Sequence, residues 1–257
     1  MNLGVNSFFS EFWHMQAATH KLDILAIAAH PDDVELSCAG TLMVHVQMGH
    51  RVGILDLTAG ELGTRGTPEI RAAEARKATE IMGVEIRENA SLPDGFFRND
   101  QEHQLRLIPF IRYFQPDIVL TNAEHDRHPD HGRAAELVET SCFLSGLIKI
   151  ETHWKGQPQQ PWRPRHIWHF IQDEDLEPDF IVDISPVMDK KLEAIKAFRS
   201  QFLANPDDPL QTYISTPAFF EHIVHLAQMW GYRIGTQYGE GFTSRKKLGV
   251  SHLHVFV

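Results

Sequence analysis

Residues 22–33 read LDILAIAAHPDD, an apolar run that ends in a histidine, a proline and two adjacent aspartates. The part Leu22–Ala28 is short and rich in Ile and Leu, which is typical of a strand buried on both faces of a parallel sheet. The polar run Ala29–Asp33 (AHPDD) therefore follows directly on a predicted strand end. A histidine and two carboxylates at such a position can hold a divalent metal and leave one carboxylate for proton transfer.

A second run has the same chemical character. Residues 117–121 (DIVLT) form another predicted buried strand, and His128–His131 (HPDH) follows it. Strand and helix patterns alternate along the chain at the spacing of βαβ units. This predicts an α/β fold, a doubly wound, mostly parallel Rossmann-like sheet with helices on both faces. Since ligands bind beyond the carboxyl ends of such strands, we expect both runs on one rim of the sheet.

The remaining elements are predicted from apolar periodicity and from helix-capping residues. Thr67 and Pro68 suit the N-cap and first position of a helix that ends before Gly83. The predicted strands cover residues 22–28, 52–57, 84–92, 117–121, 166–171 and 180–182. The predicted helices cover residues 34–48, 68–82, 104–114, 132–147, 185–203 and 217–230. We predict one domain over residues 22–257, preceded by an N-terminal extension at 1–21, with a glycine-rich loop at 233–242.

Composition narrows the class of protein. The chain has 257 residues, a formal net charge of −10 and 42% hydrophobic residues, which favours a soluble globular protein without nucleic acid as its main partner. The apolar runs are shorter than the roughly 20 residues that span a bilayer. Two cysteines, Cys38 and Cys142, give no disulfide framework. We therefore expect a cytoplasmic protein with a small-molecule partner and no membrane partner.

The residues of the two runs suggest a metal-dependent hydrolase. His30, Asp33 and His131 form a set of three protein ligands of the kind catalytic zinc sites use, and Asp32 would stay free beside the metal. His128 and His131 are three apart near a predicted helix start, so either could be the ligand. The alternative is that each run only caps a helix, because Asp and Pro suit that position. Two such runs after two buried strands favour the metal site.

These motifs carry a family resemblance. AHPDD (29–33) and HPDH (128–131), with LTAGELGTRG (57–66) and LPDGF (92–96), resemble the PIG-L/LmbE superfamily of zinc-dependent N-acetylglucosaminide deacetylases. Within it the chain looks most like the bacillithiol-pathway branch, which removes acetate from N-acetylglucosaminyl-malate. The phrases GELGTRGTPEIRAAEA, NAEHDRHPDHGRAA and FLSGLIKIET carry that finer resemblance.

The resemblance implies a role for each motif residue. His30, Asp33 and His131 match the ligands of one Zn²⁺ per subunit, and the same set would accept Fe²⁺ or Co²⁺. Asp32 matches the general base. His128 matches the histidine that, when protonated, stabilises the oxyanion, and Asp130 matches the carboxylate that orients it. The resemblance also implies a homo-oligomer, a trimer or hexamer.

Substrate contacts are predicted from the neighbouring loops. Arg65 could bind a carboxylate of a malate aglycone, because a guanidinium binds a carboxylate bidentately, or it could be an exposed loop arginine. Arg127 adjoins His128 and could contact the substrate or orient the metal site. Asp94 could accept sugar hydroxyls, although Pro-Asp-Gly is also an ordinary turn. Tyr238, in the predicted 233–242 loop, could cover the sugar or serve a subunit contact, and packing is an equal alternative.

Two other functions stay open. The first is a deacetylase or amidase for another amino-sugar conjugate, either mycothiol-like or diacetylchitobiose-like. The second is a nucleotide-binding module in which Gly60, Gly63 and Gly66 hold phosphate. A lone glycine-rich loop is weak evidence for the second, and the chain has no Gly-Lys-Ser/Thr P-loop.

Overall fold

The computed structural model describes residues 20–202 and 210–256, so the predicted extension at 1–21 lies almost entirely outside the described residues. A central sheet covered by helices on both faces confirms the predicted α/β class. The strands are β1 Ile24–Ala28, β2 Val52–Asp56, β3 Ile86–Asn89, β4 Ile118–Asn122, β5 His153–Trp154, β6 Gln157–Pro158, β7 His166–Phe170, β8 Phe180–Asp183 and β9 Gly239–Thr243. The α-helices are α1 Asp33–Ser37, α2 Ala39–Gln47, α3 Pro68–Met82, α4 Gln101–Phe114, α5 Pro129–Ser145, α6 Met188–Ala197, α7 Arg199–Phe202 and α8 Pro217–Ile234.

The order of the strands places the two polar runs side by side. The main sheet runs β3-β2-β1-β4-β7-β9-β8, and the first five of these strands are parallel. From β1 the chain builds outward to β2 and β3, then crosses back to form β4 on the other side of β1. Ile27 pairs with Thr121 at the ends of these neighbouring strands. AHPDD and HPDH therefore meet at a topological switch point, where α/β sheets form their binding crevice.

Each face of the sheet carries its own apolar core. Alternate residues of β1 point to opposite sides, so Ile24, Ala26 and Ala28 join one core cluster while Leu25 and Ile27 join the other. Residues of α2, α3, α6 and α8 complete the first cluster, and residues of α4 and α5 complete the second. Because both faces of β1 are covered, its sequence is apolar throughout.

Helix α3 begins and ends where its sequence predicts. The Thr67 hydroxyl accepts a hydrogen bond from the amide of Ile70 at 3.3 Å, which satisfies one of the free amides of the first turn. Gly83 ends the helix with φ of 70°, a left-handed conformation that glycine adopts without steric cost.

The predicted helix at 34–48 is instead two helices that meet at Cys38. The carboxylate of Glu240, on β9, accepts hydrogen bonds from the amides of Gly40 at 2.9 Å and Thr41 at 2.7 Å. Lys191 donates to the same carboxylate at 2.6 Å, and both charged side chains are buried. A buried charge needs such partners. An acidic side chain from the far end of the chain thus satisfies the start of α2.

Two further predictions at the C-terminal side are wrong in part. The helix predicted at 185–203 is a 3₁₀ turn at Ser185–Val187 followed by α6 and α7. The segment predicted as a loop at 233–242 is a loop only at residues 235–238; residues 233–234 end α8, and residues 239–242 belong to strand β9, which lies antiparallel between β7 and β8. Both cysteines are buried and unpaired, as expected. Within residues 20–202 and 210–256, no helix has the length and apolarity to cross a membrane.

Candidate active site

Three predicted ligands converge at the switch point. His30 follows β1, Asp33 begins α1 and His131 lies in the first turn of α5. The Nδ1 of His30 is 3.4 Å from Asp33 Oδ2, and the Nε2 of His131 is 3.2 Å from Asp33 Oδ1. Their exposed fractions are 8%, 2% and 4%, so solvent reaches them only through the crevice.

A second layer of carboxylates holds the two imidazoles. His30 Nε2 lies 3.1 Å from Asp94 Oδ1 and 3.3 Å from Asp130 Oδ2, while His131 Nδ1 lies 2.5 Å from Asp126 Oδ2. Each ring can therefore donate its outer N–H to a carboxylate and turn its other nitrogen toward the space the three ligands share. Metal-binding histidines are oriented in this way in many proteins.

Asp33 is fixed by neutral partners. Its Oδ2 accepts from the backbone amide of His30 at 3.0 Å and from Asn122 Nδ2 at 3.2 Å, and its Oδ1 accepts from Gln172 Nε2 at 3.0 Å. Asn122 ends β4 and Gln172 follows β7, so two neighbouring strands hold this carboxylate in place.

The chemistry of this donor set fits a divalent metal. Burial alone would lower the pKa of His30 and His131, but the surrounding carboxylates outweigh it, raising the pKa of His30 and bringing that of His131 to about 9. The cluster of carboxylates thus favours positive charge on both imidazoles, as it would favour a bound cation. Two imidazoles and one carboxylate suit zinc. His128 offers an alternative third ligand, since the ligand nitrogens of His30, His128 and His131 lie within 4.8 Å of one another.

Asp32 lines the same cavity and forms an ion pair with an arginine. Its Oδ2 is 3.0 Å from Arg71 Nη2, and both side chains are buried. Burial raises the pKa of Asp32, Arg71 lowers it and Asp33 raises it again, with a result of about 7. The backbone of Asp32 has φ of 126°, a strained conformation for a residue with a side chain. Among the described residues its side chain makes no capping bond to α1, which argues against the simple helix-cap interpretation.

His128 and Asp130 lie at the start of α5. His128 is the N-cap of α5, and its Nδ1 accepts from the backbone amide of Asp130 at 3.2 Å, so a neutral ring carries its proton on Nε2. The carboxylate of Asp130 instead accepts from the amide of Gly95 at 2.9 Å and contacts His30 and Arg133. Among the described residues the Asp130 carboxylate thus has Gly95, His30 and Arg133 as partners, and the role of orienting His128 stays a prediction.

The charge of His128 depends on its neighbours. Burial lowers its pKa, and the nearby imidazoles of His30 and His131 lower it further. A neutral His128 can still donate a hydrogen bond from Nε2. Stabilisation of an oxyanion by this residue would rest on that N–H rather than on a full positive charge.

These residues line a cavity of about 350 Å³. Asp94 lies in the wall of this cavity. Burial would raise the pKa of Asp94, but hydrogen bonds from His30 and from the amide of Leu62 outweigh burial and lower the pKa to about 2. Arg127 lies at its edge with a half-exposed side chain. The lining residues are His30, Asp32, Asp33, Leu36, Leu62, Gly63, Thr64, Arg71, Asp94, Gly95, Arg127, His128, His131, Gln172, Gln201, Thr212, Tyr213 and Ile214.

Arg65 and Tyr238 are not brought to this site, since neither is among the described residues that line the cavity. The Nε of Arg65 donates to the carbonyl of Ser200 at 2.8 Å, and its Nη1 donates to that of Leu210 at 3.2 Å. Tyr238 packs against the core cluster on one face of the sheet, and its backbone amide donates to Ser185 Oγ at 3.0 Å. The described cavity therefore gives no support to substrate contact by either residue.

Arg71 is the functional candidate that the sequence reasoning missed. It lies on α3 among other charged residues, so its spacing gave no signal. The glycine-rich loop before α3 makes room for it: Gly60 has φ of 65°, and a Cβ there would lie 1.9 Å from Arg71 Nη1. Gly60 thus leaves space for the Arg71 side chain, a structural role that requires no bound nucleotide.

Known proteins resemble this chain in sequence and fold. The family model PIG-L, described as GlcNAc-PI de-N-acetylase, matches residues 25–142, the part that contains both motifs. The solved structure of the conserved protein TT1542 from Thermus thermophilus is similar with a TM-score of 0.80 and 35% identity, covering 90% of this chain and 98% of that one.

Curated relatives include enzymes of more than one kind. A diacetylchitobiose deacetylase of Thermococcus kodakarensis is 27% identical over 85% of this chain and 81% of its own length. A probable N-acetyl-α-D-glucosaminyl L-malate deacetylase of Bacillus cereus is 25% identical over 82% and 97%. A 4-oxalmesaconate hydratase of Pseudomonas putida is 26% identical over 71% and 75%. With the family match and a solved relative that is 35% identical over 98% of its own chain, the chain belongs to the PIG-L family of de-N-acetylases and is an enzyme.

Proposed function

We propose that this enzyme hydrolyses the N-acetyl group of an N-acetylglucosaminyl conjugate with the help of one zinc ion. One observation carries the proposal: a His₂Asp donor set and a separate buried carboxylate with a pKa of about 7 share one cavity. A general base works best when its pKa lies near the working pH. Asp32 meets that condition, and Arg71 holds its carboxylate in place.

His30, Asp33 and His131 would hold the zinc ion. Bound there, zinc supplies Lewis acidity, which polarises the amide carbonyl and makes a neighbouring water more acidic. Asp32 accepts the proton of the attacking water and returns it to the departing amine. The Nε2–H of His128 donates to the oxyanion that develops on the acetyl carbonyl. Removal of one such donor typically costs about 10²–10³-fold in rate.

The substrate end of the cavity suits an amino sugar with a further group attached. A volume of about 350 Å³ is at the small end of ligand sites. Asp94 is our candidate for a contact to sugar hydroxyls, and Arg127 our candidate for a contact to the attached group. The deacetylases similar to this chain act, by their names, on a malate glycoside and on a disaccharide.

We propose N-acetylglucosaminyl-malate as the first substrate to test and diacetylchitobiose as the second. The sequence phrases around HPDH and the similarity to the malate-glycoside deacetylase of Bacillus cereus support the first. Similarity to the diacetylchitobiose deacetylase over most of both chains supports the second. A mycothiol-like inositol glycoside completes the set of candidates.

One assay separates these proposals. Zinc-loaded enzyme is incubated with each N-acetylated compound, release of free amine is measured, and the metal content of the same sample is determined. Faster turnover of the malate glycoside supports the first substrate, and faster turnover of the disaccharide replaces it with the second. Enzyme that binds zinc and deacetylates none of the three, yet hydrates 4-oxalmesaconate, would overturn the deacetylase proposal.

A further inference from the structure

At the mouth of the cavity Arg127 forms an ion pair with Asp173, a residue that has no role in the proposed mechanism. Asp173 follows β7, and its Oδ2 accepts from Arg127 Nε at 2.9 Å. Its Oδ1 accepts from the hydroxyl of Tyr213 at 3.0 Å. The ring of Tyr213 lies against the Arg127 guanidinium, with 4.5 Å from Cζ to the ring centroid.

In this ion pair the side chain of Asp173 is more buried than that of Arg127. The side chain of Asp173 is 12% exposed, while that of Arg127 is 47% exposed. Asp173 is therefore enclosed by its two partners, whereas the guanidinium still faces the cavity mouth. Tyr213 contributes both a hydrogen bond and a cation–π contact, which is strongest when the cation is poorly hydrated.

Arg127 is the cation that a negatively charged substrate group would meet. The other arginine among the described lining residues is Arg71, which is buried and paired with Asp32 at 3.0 Å. A carboxylate arriving at the mouth would compete with Asp173 for the same guanidinium. Because Asp173 is already bound to Arg127, a carboxylate on the substrate gains less binding free energy from this guanidinium.

We propose that Asp173 sets the charge preference of the enzyme for the group attached to the sugar. With Asp173 in place, the charge of Arg127 is largely neutralised. A substrate with a neutral attached group then binds nearly as well as one with an anionic group. Without the negative charge at position 173, Arg127 favours an anionic group. The inference rests on the proposed deacetylase function and assigns the choice between its candidate substrates to one residue.

The test uses Asp173→Asn, which keeps the shape of the side chain and removes its charge. The measured quantity is the ratio of kcat/KM for N-acetylglucosaminyl-malate to that for diacetylchitobiose. We expect the ratio to rise about twofold to fivefold, mainly through a lower KM for the malate glycoside, as the change at a partly exposed ion pair allows. Tyr213→Phe, which removes only the hydroxyl bond to Asp173, should raise the ratio in the same direction by a smaller factor.

A double variant identifies the cation involved. In an Arg127→Gln background, Asp173→Asn should raise the ratio clearly less than in the wild-type background, because no guanidinium remains to be released and only the direct repulsion of an anionic group is removed. A ratio that does not rise in the single variant, or that rises equally without Arg127, overturns the inference while the deacetylase function stands. Wild-type enzyme that deacetylates none of the three N-acetylated compounds overturns both.

Discussion

Replacing Arg71 with Met removes the positive charge nearest to Asp32 and tests whether that carboxylate is the base. The two groups are 3.0 Å apart and buried. At an effective dielectric constant of about 20, opposite unit charges at this separation attract each other by about 5 kcal/mol. The loss in the variant is smaller, because the structure relaxes and water enters the space. Opposite charges this close lower a carboxyl pKa by about 1–3. Arg71→Met should therefore raise the pKa of Asp32, now about 7, by that amount.

The sign of the effect on rate follows from the role of a base. Asp32 accepts a proton only when it is ionised, so activity rises with pH through its pKa, which is about 7 in the wild-type enzyme. With the pKa raised by 1 or more, the ionised fraction at pH 7 falls from about one half to about one tenth or less. We expect kcat/KM at pH 7 to fall at least about fivefold and to recover as the pH is raised.

The assay is a pH profile of kcat/KM for the best of the three N-acetylated compounds, at equal zinc content. Arg71→Lys serves as the control, because it keeps the charge and should leave the acidic limb of the profile near its wild-type position. An acidic limb that stays in place in Arg71→Met, with activity reduced equally at every pH, would refute the reasoning. Arg71 would then act on the substrate and not through Asp32.

Four further outcomes follow from the structure. Asp32→Asn should keep stoichiometric zinc and lose about 10²–10⁴-fold in kcat, and loss of the metal would show that Asp32 is a ligand. His131→Ala should abolish stoichiometric zinc binding, measured by metal analysis; retained zinc would favour His128 as the ligand. Gly60→Ala should lower the unfolding free energy in urea by about 1–3 kcal/mol, since its Cβ would meet Arg71, and an unchanged midpoint would contradict this. Glu240→Ala should cost about 3–5 kcal/mol in the same measurement, because buried Lys191 loses its partner; a cost below about 1 kcal/mol would count against that.

Much of the fold could be predicted because its determinants are local. The strand β1 is apolar throughout, since both of its faces are covered. Helix α3 has its start signals at Thr67 and Pro68 and its stop signal at Gly83, all within the segment itself. The placement of both polar runs at one edge followed from strand alternation alone.

The errors arose where distant residues decide the local structure. The break at Cys38 depends on Glu240, about 200 positions further along, and no periodicity in residues 34–48 reports it. Strand β9 contains glycines and a charge, so it looked like a loop; the charge is tolerated because Lys191 meets it. These are tertiary effects that override local propensity.

In the candidate site, the sequence indicated which residues would meet but not which way their side chains turn. Asp130 lies two positions from His128, yet its carboxylate contacts His30 instead. Arg71 and Arg65 are both arginines near the same loop, and only Arg71 turns into the cavity. Such choices depend on rotamers and on the space left by neighbours such as Gly60.

The contact of Glu240 with the start of α2 also has a consequence for folding. The carboxylate joins residues 40, 41 and 191 to a strand near the C-terminal end of the described chain, and α1, which precedes α2, begins with Asp33. Contacts so far apart in sequence form late, because the entropy of closing long loops must be overcome first. A chain that has made β1 to β4 already carries His30, Asp33 and the adjacent base, but the support for α2 arrives only with β9. We therefore expect the start of α2 to gain its carboxylate partner only after β9 has been inserted between β7 and β8.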